Sequence, residues 1–92
     1  MEITFDQAKR VKTLNERGLD FADSSKVFEG PHLTIEDDRT DYGETRFFTV
    51  GWLHQRLVVI VWTERGNSMR IISMRKANER EQRAFAPRLG NT

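Results

Sequence analysis

The chain has 92 residues, enough for one small domain, and it contains no cysteine, which excludes disulfides and thiolate metal sites. Its longest uninterrupted apolar run covers residues 57–62 and is much shorter than a membrane-spanning segment. The N-terminal residues have neither the basic nor the apolar region of a signal peptide. We therefore expect a soluble, cytoplasmic domain with no membrane partner.

Charge is distributed unevenly along the chain, although the formal net charge is only +1. Residues 1–64 contain 8 Lys/Arg and 12 Asp/Glu, a net of −4, whereas residues 65–92 contain 7 Lys/Arg and 2 Asp/Glu, a net of +5. Clustered arginine indicates an anionic partner such as nucleic acid, phosphate or an acidic protein. A solvated basic helix is the alternative explanation.

The first third of the chain predicts two short helices. Residues 6–17 begin with Asp6 as an N-cap, repeat apolar side chains at helical spacing and end before Gly18. Residues 20–29 begin with a second N-cap, Asp20, and end before a Gly-Pro pair. We expect these helices to form a hairpin that covers a sheet.

The apolar period then changes to that of strands, and four are predicted, over residues 33–37, 46–53, 57–64 and 69–74. The third is apolar on both faces, which favours a central position. The connections are short, so we expect sequential antiparallel pairing. Three aromatic residues are predicted to lie in the core, with base-stacking surfaces as the alternative: Phe48, Trp52 and Trp62.

Residues 76–86 predict a C-terminal helix with a thin apolar stripe, and we expect the chain to fray from Pro87 onward. Residues 1–92 are therefore predicted to form one α+β domain. It has two N-terminal helices, a four-stranded antiparallel sheet and a C-terminal helix.

The sequence does not contain the usual catalytic constellations. His32 and His54 lack ligand spacing, and the acidic residues of the connection 37–44 do not match a calcium-binding loop. There is no G-x-S-x-G elbow and no glycine-rich phosphate loop. We predict no metal site and no cofactor, with both histidines exposed. The acidic connection is expected to be a solvated loop, with a protein contact as the alternative.

Arginines near the turn between the third and fourth strands are the remaining candidates. Arg65 opens this turn, Arg70 lies in an apolar strand, and Arg75 lies just past its end. Arg70 needs an anion to offset its desolvation, either through a salt bridge to Glu64 or a helix acid, or by binding phosphate. Because Arg70 and Arg75 have opposite parity on an ideal strand, they converge only if the strand ends or bulges between them.

Such a cationic group supports RNA cleavage without metal or histidine. The 2′-hydroxyl of RNA attacks the adjacent phosphorus, so the nucleophile belongs to the substrate. The protein positions the strand, stabilises charge on the phosphoryl oxygens and assists proton transfer. Glu64 is the candidate base.

Several short motifs follow one another in a characteristic order: FDQAK (5–9), RGLDF (17–21), VF (27–28), DYGE (41–44), RF (46–47), WTERG (62–66) and RIISMRKANERE (70–81). This series resembles the BrnT family of ribonuclease toxins from type II toxin–antitoxin systems. Arg17 stands where many members have a histidine, and we expect it to act as a cation at a helix C-terminus.

The resemblance implies a RelE-like fold and a toxin that cleaves RNA and so arrests translation. It also implies a BrnA-type antitoxin, whose ribbon-helix-helix portion binds operator DNA so that the complex represses its own promoter. Transferred to this sequence, it implies an active surface made of Lys9, Glu64, Arg65, Arg70 and Arg75, with Lys76 and Arg80 binding RNA. Two alternatives stay open: a non-catalytic module that binds RNA or an acidic partner through the same arginines, and a degenerate toxin kept as a regulatory subunit.

Overall fold

The computed structural model of the chain describes residues 2–39 and 43–90. Its fold class is α+β, as predicted. In chain order the elements are β1 (Glu2–Phe5), α1 (Gln7–Arg17), α2 (Ser24–Glu29), β2 (His32–Asp37), β3 (Arg46–Leu53), β4 (Arg56–Arg65), β5 (Ser68–Lys76) and α3 (Glu79–Leu89). Within these described ranges, no helix has the length and apolar character needed to cross a membrane.

Within the described residues the sheet has five strands in the order β1-β5-β4-β3-β2, so the prediction of four antiparallel strands was wrong in one respect. The additional strand, β1, pairs parallel with β5, with Phe5 opposite Ile71. Ile3 and Phe5 pack against the buried core. A strand this short has little periodicity, and its partner lies at the other end of the chain, so local sequence gives no signal for the pairing.

Strands β2 to β5 are sequential and antiparallel, as predicted. A two-residue turn joins β3 to β4, and both of its residues, His54 and Gln55, have positive φ (51° and 66°). This backbone twist suits a tight hairpin. Gly66, with φ of 58°, allows a similarly tight turn between β4 and β5.

The N-terminal helices follow the predicted caps, but the second is shorter than predicted. Asp6 caps α1, and Gly18 ends it with φ of 69°. A separate 3-10 turn, Phe21–Asp23, precedes α2. Asp20 caps this turn, since its carboxylate accepts a hydrogen bond from the backbone N–H of Ala22 (2.9 Å). The predicted single helix over residues 20–29 is therefore a 3-10 turn followed by one short α-helix.

Arg17 ties the end of α1 to the sheet. Its Nη1 donates a hydrogen bond to the backbone carbonyl of Met74 on β5 (2.9 Å). The register of β1 with β5 reaches only as far as Ile71, so this contact occupies part of the β5 edge that β1 leaves open. Arg17 is the basic residue of the last turn, as expected.

The C-terminal helix α3 begins later than predicted because Lys76 still belongs to β5 and Asn78 is the N-cap. The Asn78 side chain accepts a hydrogen bond from the N–H of Glu81 (2.8 Å). The Glu81 carboxylate accepts one from the N–H of Asn78 (2.9 Å), which completes a capping box.

The same helix continues through Pro87, where we had expected fraying. Leu89 is buried against the sheet, and the indole N–H of Trp52 donates to the carbonyl of Gly90 (3.1 Å). These contacts hold the last turn in place, and tertiary packing overrides the weak local propensity.

The two faces of the sheet are covered differently. The first face packs on Phe21 and Val27 and contains the buried tryptophan, Trp62. The second face is covered by α3 only near the β3–β4 turn, where Leu89 joins the cluster of Val50, Leu57 and Val59. Phe48 and Trp52 lie on this second face and are half-buried, less deep than predicted. The other end of the second face carries the candidate site.

Candidate active site

Two arginines and a threonine form a row across three strands at the uncovered end of the second face. Arg46 on β3 lies opposite Thr63 on β4, which lies opposite Arg70 on β5. Partners in an antiparallel ladder share a face. Thr63 is buried, and its hydroxyl donates to the carbonyl of Thr45 (2.6 Å). The small side chain between two long ones leaves a recess with arginines on both sides.

The N-terminal turn of α1 closes one side of this recess. β1 runs parallel to β5 with Thr4 opposite Arg70, and the chain then turns into α1 at Asp6. The carboxylate of Asp6 accepts a hydrogen bond from the backbone N–H of Lys9 (3.0 Å), which fixes the first turn. Lys9 is thereby brought to the row of arginines.

These residues line a cleft of about 210 Å³, which we call the cationic cleft. It contains four cationic and two acidic side chains. The lining residues are Asp6, Lys9, Glu44, Arg46, Arg65, Arg70, Ile71 and Ile72.

Glu44 neutralises two of the cations in the cleft. Its carboxylate lies 3.3 Å from Nε of Arg46 and 3.4 Å from an Nη of Arg65. In the described part of the chain, neither the Lys9 ammonium nor the half-buried Arg70 guanidinium forms an ion pair or side-chain hydrogen bond with a carboxylate. The predicted structural alternative for Arg70, a salt bridge to Glu64 or a helix acid, is therefore not observed there. A cation half-buried in this way favours binding an anion.

Glu64 lies on the opposite face from the arginines. It pairs with Met69, which packs into the core of the first face, whereas its neighbour Arg65 points into the cationic cleft. Glu64 instead lines a neighbouring depression of about 350 Å³ with Phe47, and Glu44 lines both this depression and the cationic cleft. The structure thus brings Lys9, Arg65 and Arg70 together without Glu64.

Arg75 shares a face with Arg70 because β5 contains a bulge. Trp62 pairs with Ile71 and Val61 with Ser73, so Ile72 is the extra residue and side-chain parity changes there. Sequence analysis named a bulge as one condition for Arg70 and Arg75 to converge. They nevertheless occupy different sites, because Arg75 does not line the cationic cleft.

The guanidinium of Arg75 is bound by the carboxylate of Glu81 through two hydrogen bonds (2.8 and 2.9 Å). This pair lowers the pKa of Glu81 and raises that of Arg75, in both cases chiefly through the side-chain hydrogen bonds. Arg75 therefore connects β5 to the first turn of α3. It lines a second pocket of about 180 Å³ on the same face.

The two proposed RNA-binding residues lie outside the cationic cleft. Lys76 is exposed at the end of β5 and lines a groove beside α3, while Arg80 is exposed in the first turn of α3. Both histidines are exposed, as predicted: His32 contacts the carbonyl of Gly30 (2.8 Å), and His54 lies 3.8 Å from Asp23.

In the acidic connection Asp38 is exposed as expected, but Asp37 is buried. The Asp37 side chain is 2% exposed and binds the guanidinium of Arg39 through two hydrogen bonds (2.8 and 2.9 Å), which lowers the pKa of Asp37. Asp41 lies outside the described residues. Across residues 2–39 and 43–90, no three His, Asp or Glu side chains are grouped in a way that could hold a metal ion.

Sequence reasoning missed three charged residues of the cleft: Asp6, which was assigned only as an N-cap, and Glu44 and Arg46. Glu44 was assigned to the solvated connection and Arg46 to the start of a strand. Both belong to segments that carry the family resemblance, DYGE (41–44) and RF (46–47), which was the one available signal. The β3–β4–β5 register places Arg46 in line with Arg70 across Thr63, and ion pairs with Arg46 and Arg65 bring Glu44 into the cleft.

The fold and the cleft together define a small α+β protein with a cleft lined by arginine and lysine. The chain belongs to the family described as ribonuclease toxin, BrnT, of type II toxin-antitoxin system, whose family model matches residues 5–81. Membership makes it a ribonuclease toxin with an antitoxin partner. No curated protein matches the chain.

Proposed function

We propose that this chain is a metal-independent endoribonuclease and that the cationic cleft binds the phosphate at which RNA is cut. The observation that carries the proposal is the pair of cations, Lys9 and the half-buried Arg70, which have no carboxylate partner among the described residues of the cleft. Guanidinium and ammonium groups in this state suit a phosphodiester.

The reaction follows from the chemistry of RNA. The 2′-oxygen attacks the adjacent phosphorus and loses its proton, the bond from phosphorus to the 5′-oxygen breaks, and that oxygen takes up a proton. The products are a 2′,3′-cyclic phosphate and a 5′-hydroxyl. Arg70 and Arg65 stabilise negative charge on the non-bridging oxygens, and Lys9 holds the backbone or supplies the proton to the leaving oxygen.

Glu44 is better placed than Glu64 to accept the proton of the 2′-hydroxyl. Its carboxylate lines the cleft and is oriented by Arg46 and Arg65, whereas Glu64 faces the other side of the sheet. A general base must lie within hydrogen-bond reach of the proton that it removes. Arg75 is bound to Glu81 outside the cleft, so we assign it no direct contact with the phosphate.

The biological setting rests on family membership. We propose a RelE-like toxin that acts in the cytoplasm and arrests translation by cutting RNA. Its antitoxin is of the BrnA type, with a ribbon-helix-helix portion that binds operator DNA, and the complex represses its own promoter. Lys76 and Arg80, both exposed near the start of α3, steer RNA toward the cleft.

The test is RNA cleavage by the full chain after the antitoxin has been removed, in buffer containing EDTA. We expect cleavage of naked RNA or, failing that, of messenger RNA on translating ribosomes. Binding without cleavage in both reactions would identify the chain as a non-catalytic module. Complete loss of activity in EDTA that Mg²⁺ restores would contradict the metal-independent mechanism.

A further inference from the structure

The second pocket on the face that carries the cationic cleft has a different character. We call it the arginine pocket, and it measures about 180 Å³. The half-buried ring of Phe48 and two valines form its apolar part, and charged side chains form the rest. Its lining residues are Arg39, Phe48, Val59, Val61, Arg75 and Glu81.

Each guanidinium in the arginine pocket is already neutralised by a carboxylate. Arg75 is bound by Glu81 and Arg39 by Asp37, in both cases through two hydrogen bonds of 2.8–2.9 Å. A guanidinium bound in this way has one N–H edge occupied and its charge offset by the carboxylate, and its flat face can still stack on a ligand. The pocket therefore suits an uncharged planar group better than a phosphate.

The arginine pocket lies within reach of an RNA strand bound in the cationic cleft. Arg70 pairs with Thr63 and Arg75 with Val59, four positions along β4, which is about 13 Å. The bulge at Ile72 places both arginines on one face. A strand whose phosphate sits beside Arg70 can place a neighbouring or next-but-one nucleotide over Phe48.

We propose that the arginine pocket binds a nucleobase of the RNA whose phosphate lies in the cationic cleft. The base stacks on Phe48 and on the guanidinium planes of Arg39 and Arg75, as unpaired bases do on aromatic and arginine side chains. This inference rests on the proposed function and extends it. It assigns Arg75 to base binding and leaves phosphate activation to Arg70.

The experiment measures binding of a short, uncleavable 2′-O-methyl RNA in which one abasic nucleotide is placed in turn at each position. Fluorescence anisotropy with the full chain gives Kd. We expect one abasic position to weaken binding by roughly 5- to 150-fold, the range for losing one stacked base. Phe48→Leu keeps an apolar side chain but removes the aromatic face, and Phe85→Leu on α3 is its matched control.

Phe48→Leu should weaken binding of the intact RNA. It should also reduce the loss of affinity caused by the sensitive abasic position, because the protein variant and the abasic RNA remove the same stacking contact. Phe85→Leu should leave the abasic effect unchanged. Should Phe48→Leu fail to fold, Arg39→Gln at an exposed side chain gives the same readout. An abasic effect that persists undiminished in these variants, or no sensitive position at all, would overturn the proposal.

Cleavage of unmodified RNA by the wild-type chain separates this inference from the proposed function. If the wild-type chain cuts RNA but the abasic effect does not depend on Phe48, only the proposal that the arginine pocket binds a base is overturned. If the chain neither binds nor cuts RNA, both proposals are overturned.

Discussion

Replacing Arg70 with alanine should remove catalysis while leaving the fold intact. Arg70 is half-buried and lines the cationic cleft, and it forms no ion pair with the described carboxylates, so its removal breaks no salt bridge there. The loss of a group that stabilises charge in the transition state costs about 10²–10³ in kcat, or about 3–4 kcal/mol. The free energy of unfolding should change by about 0.5 kcal/mol or less.

The assay is single-turnover cleavage in EDTA, read beside thermal unfolding and antitoxin binding. For this domain size a change of about 0.5 kcal/mol corresponds to a Tm shift of about 2–4 °C. The matched control is Arg83→Ala, because Arg83 is exposed on α3 and only loosely paired with Glu79 (3.7 Å). A variant that cuts RNA at nearly the wild-type rate would refute the role of Arg70, and one that unfolds would make Arg70 a structural residue.

Three further predictions concern the proton acceptor, the anchor of α3 and a tight packing contact. Glu44→Gln should lower kcat by about 10²–10⁴ with little change in KM, and a larger loss in Glu64→Gln would reverse our assignment of the base. Arg75→Ala and Glu81→Gln should be non-additive, with a coupling of about 0.5–1 kcal/mol in urea unfolding. Because the pair depresses the pKa of Glu81, this coupling should be present above the ordinary pKa range of glutamate and lost as pH falls through and below it; coupling that survives at low pH would contradict the ion pair. Gly51→Ala should lower stability by about 1–3 kcal/mol, since its Cβ would lie 2.7 Å from Cγ1 of Val27; unchanged stability would mean that α2 can move away.

The parts of the fold that depend on local patterns were predictable. Apolar patterns, alternating in β2 and β3 and continuous in β4, identified the antiparallel strands, and turn residues such as Gly66 marked the hairpins. β1 was missed because its pairing with β5 is parallel and joins the two ends of the chain. The C-terminal limit of α3 was missed because Leu89 is held by contacts with the sheet, which its own segment does not encode.

The sequence predicted that the candidate site contains arginine and lysine, but not which of the named residues lie together in the fold. Two neighbouring residues on a strand point to opposite faces, so Glu64 and Arg65 could not both join Arg70. Strand alternation alone could have separated them. The side of the sheet on which Arg75 lies depended on the bulge at Ile72, and Glu44 entered the cleft through its pairs with arginines. Register and ion pairing are tertiary properties that residue spacing does not determine.

We propose above that the cationic cleft directs the substrate's own 2′-hydroxyl at a phosphate without a metal. The most direct measurement uses DNA oligonucleotides that contain one ribonucleotide between randomised flanking bases, incubated with the full chain in EDTA. We predict cleavage only after the ribonucleotide, leaving a 2′,3′-cyclic phosphate and a 5′-hydroxyl, and loss of this product in Arg70→Ala but not in Arg83→Ala. Cleavage at deoxynucleotides, or 3′-hydroxyl ends, would contradict the account.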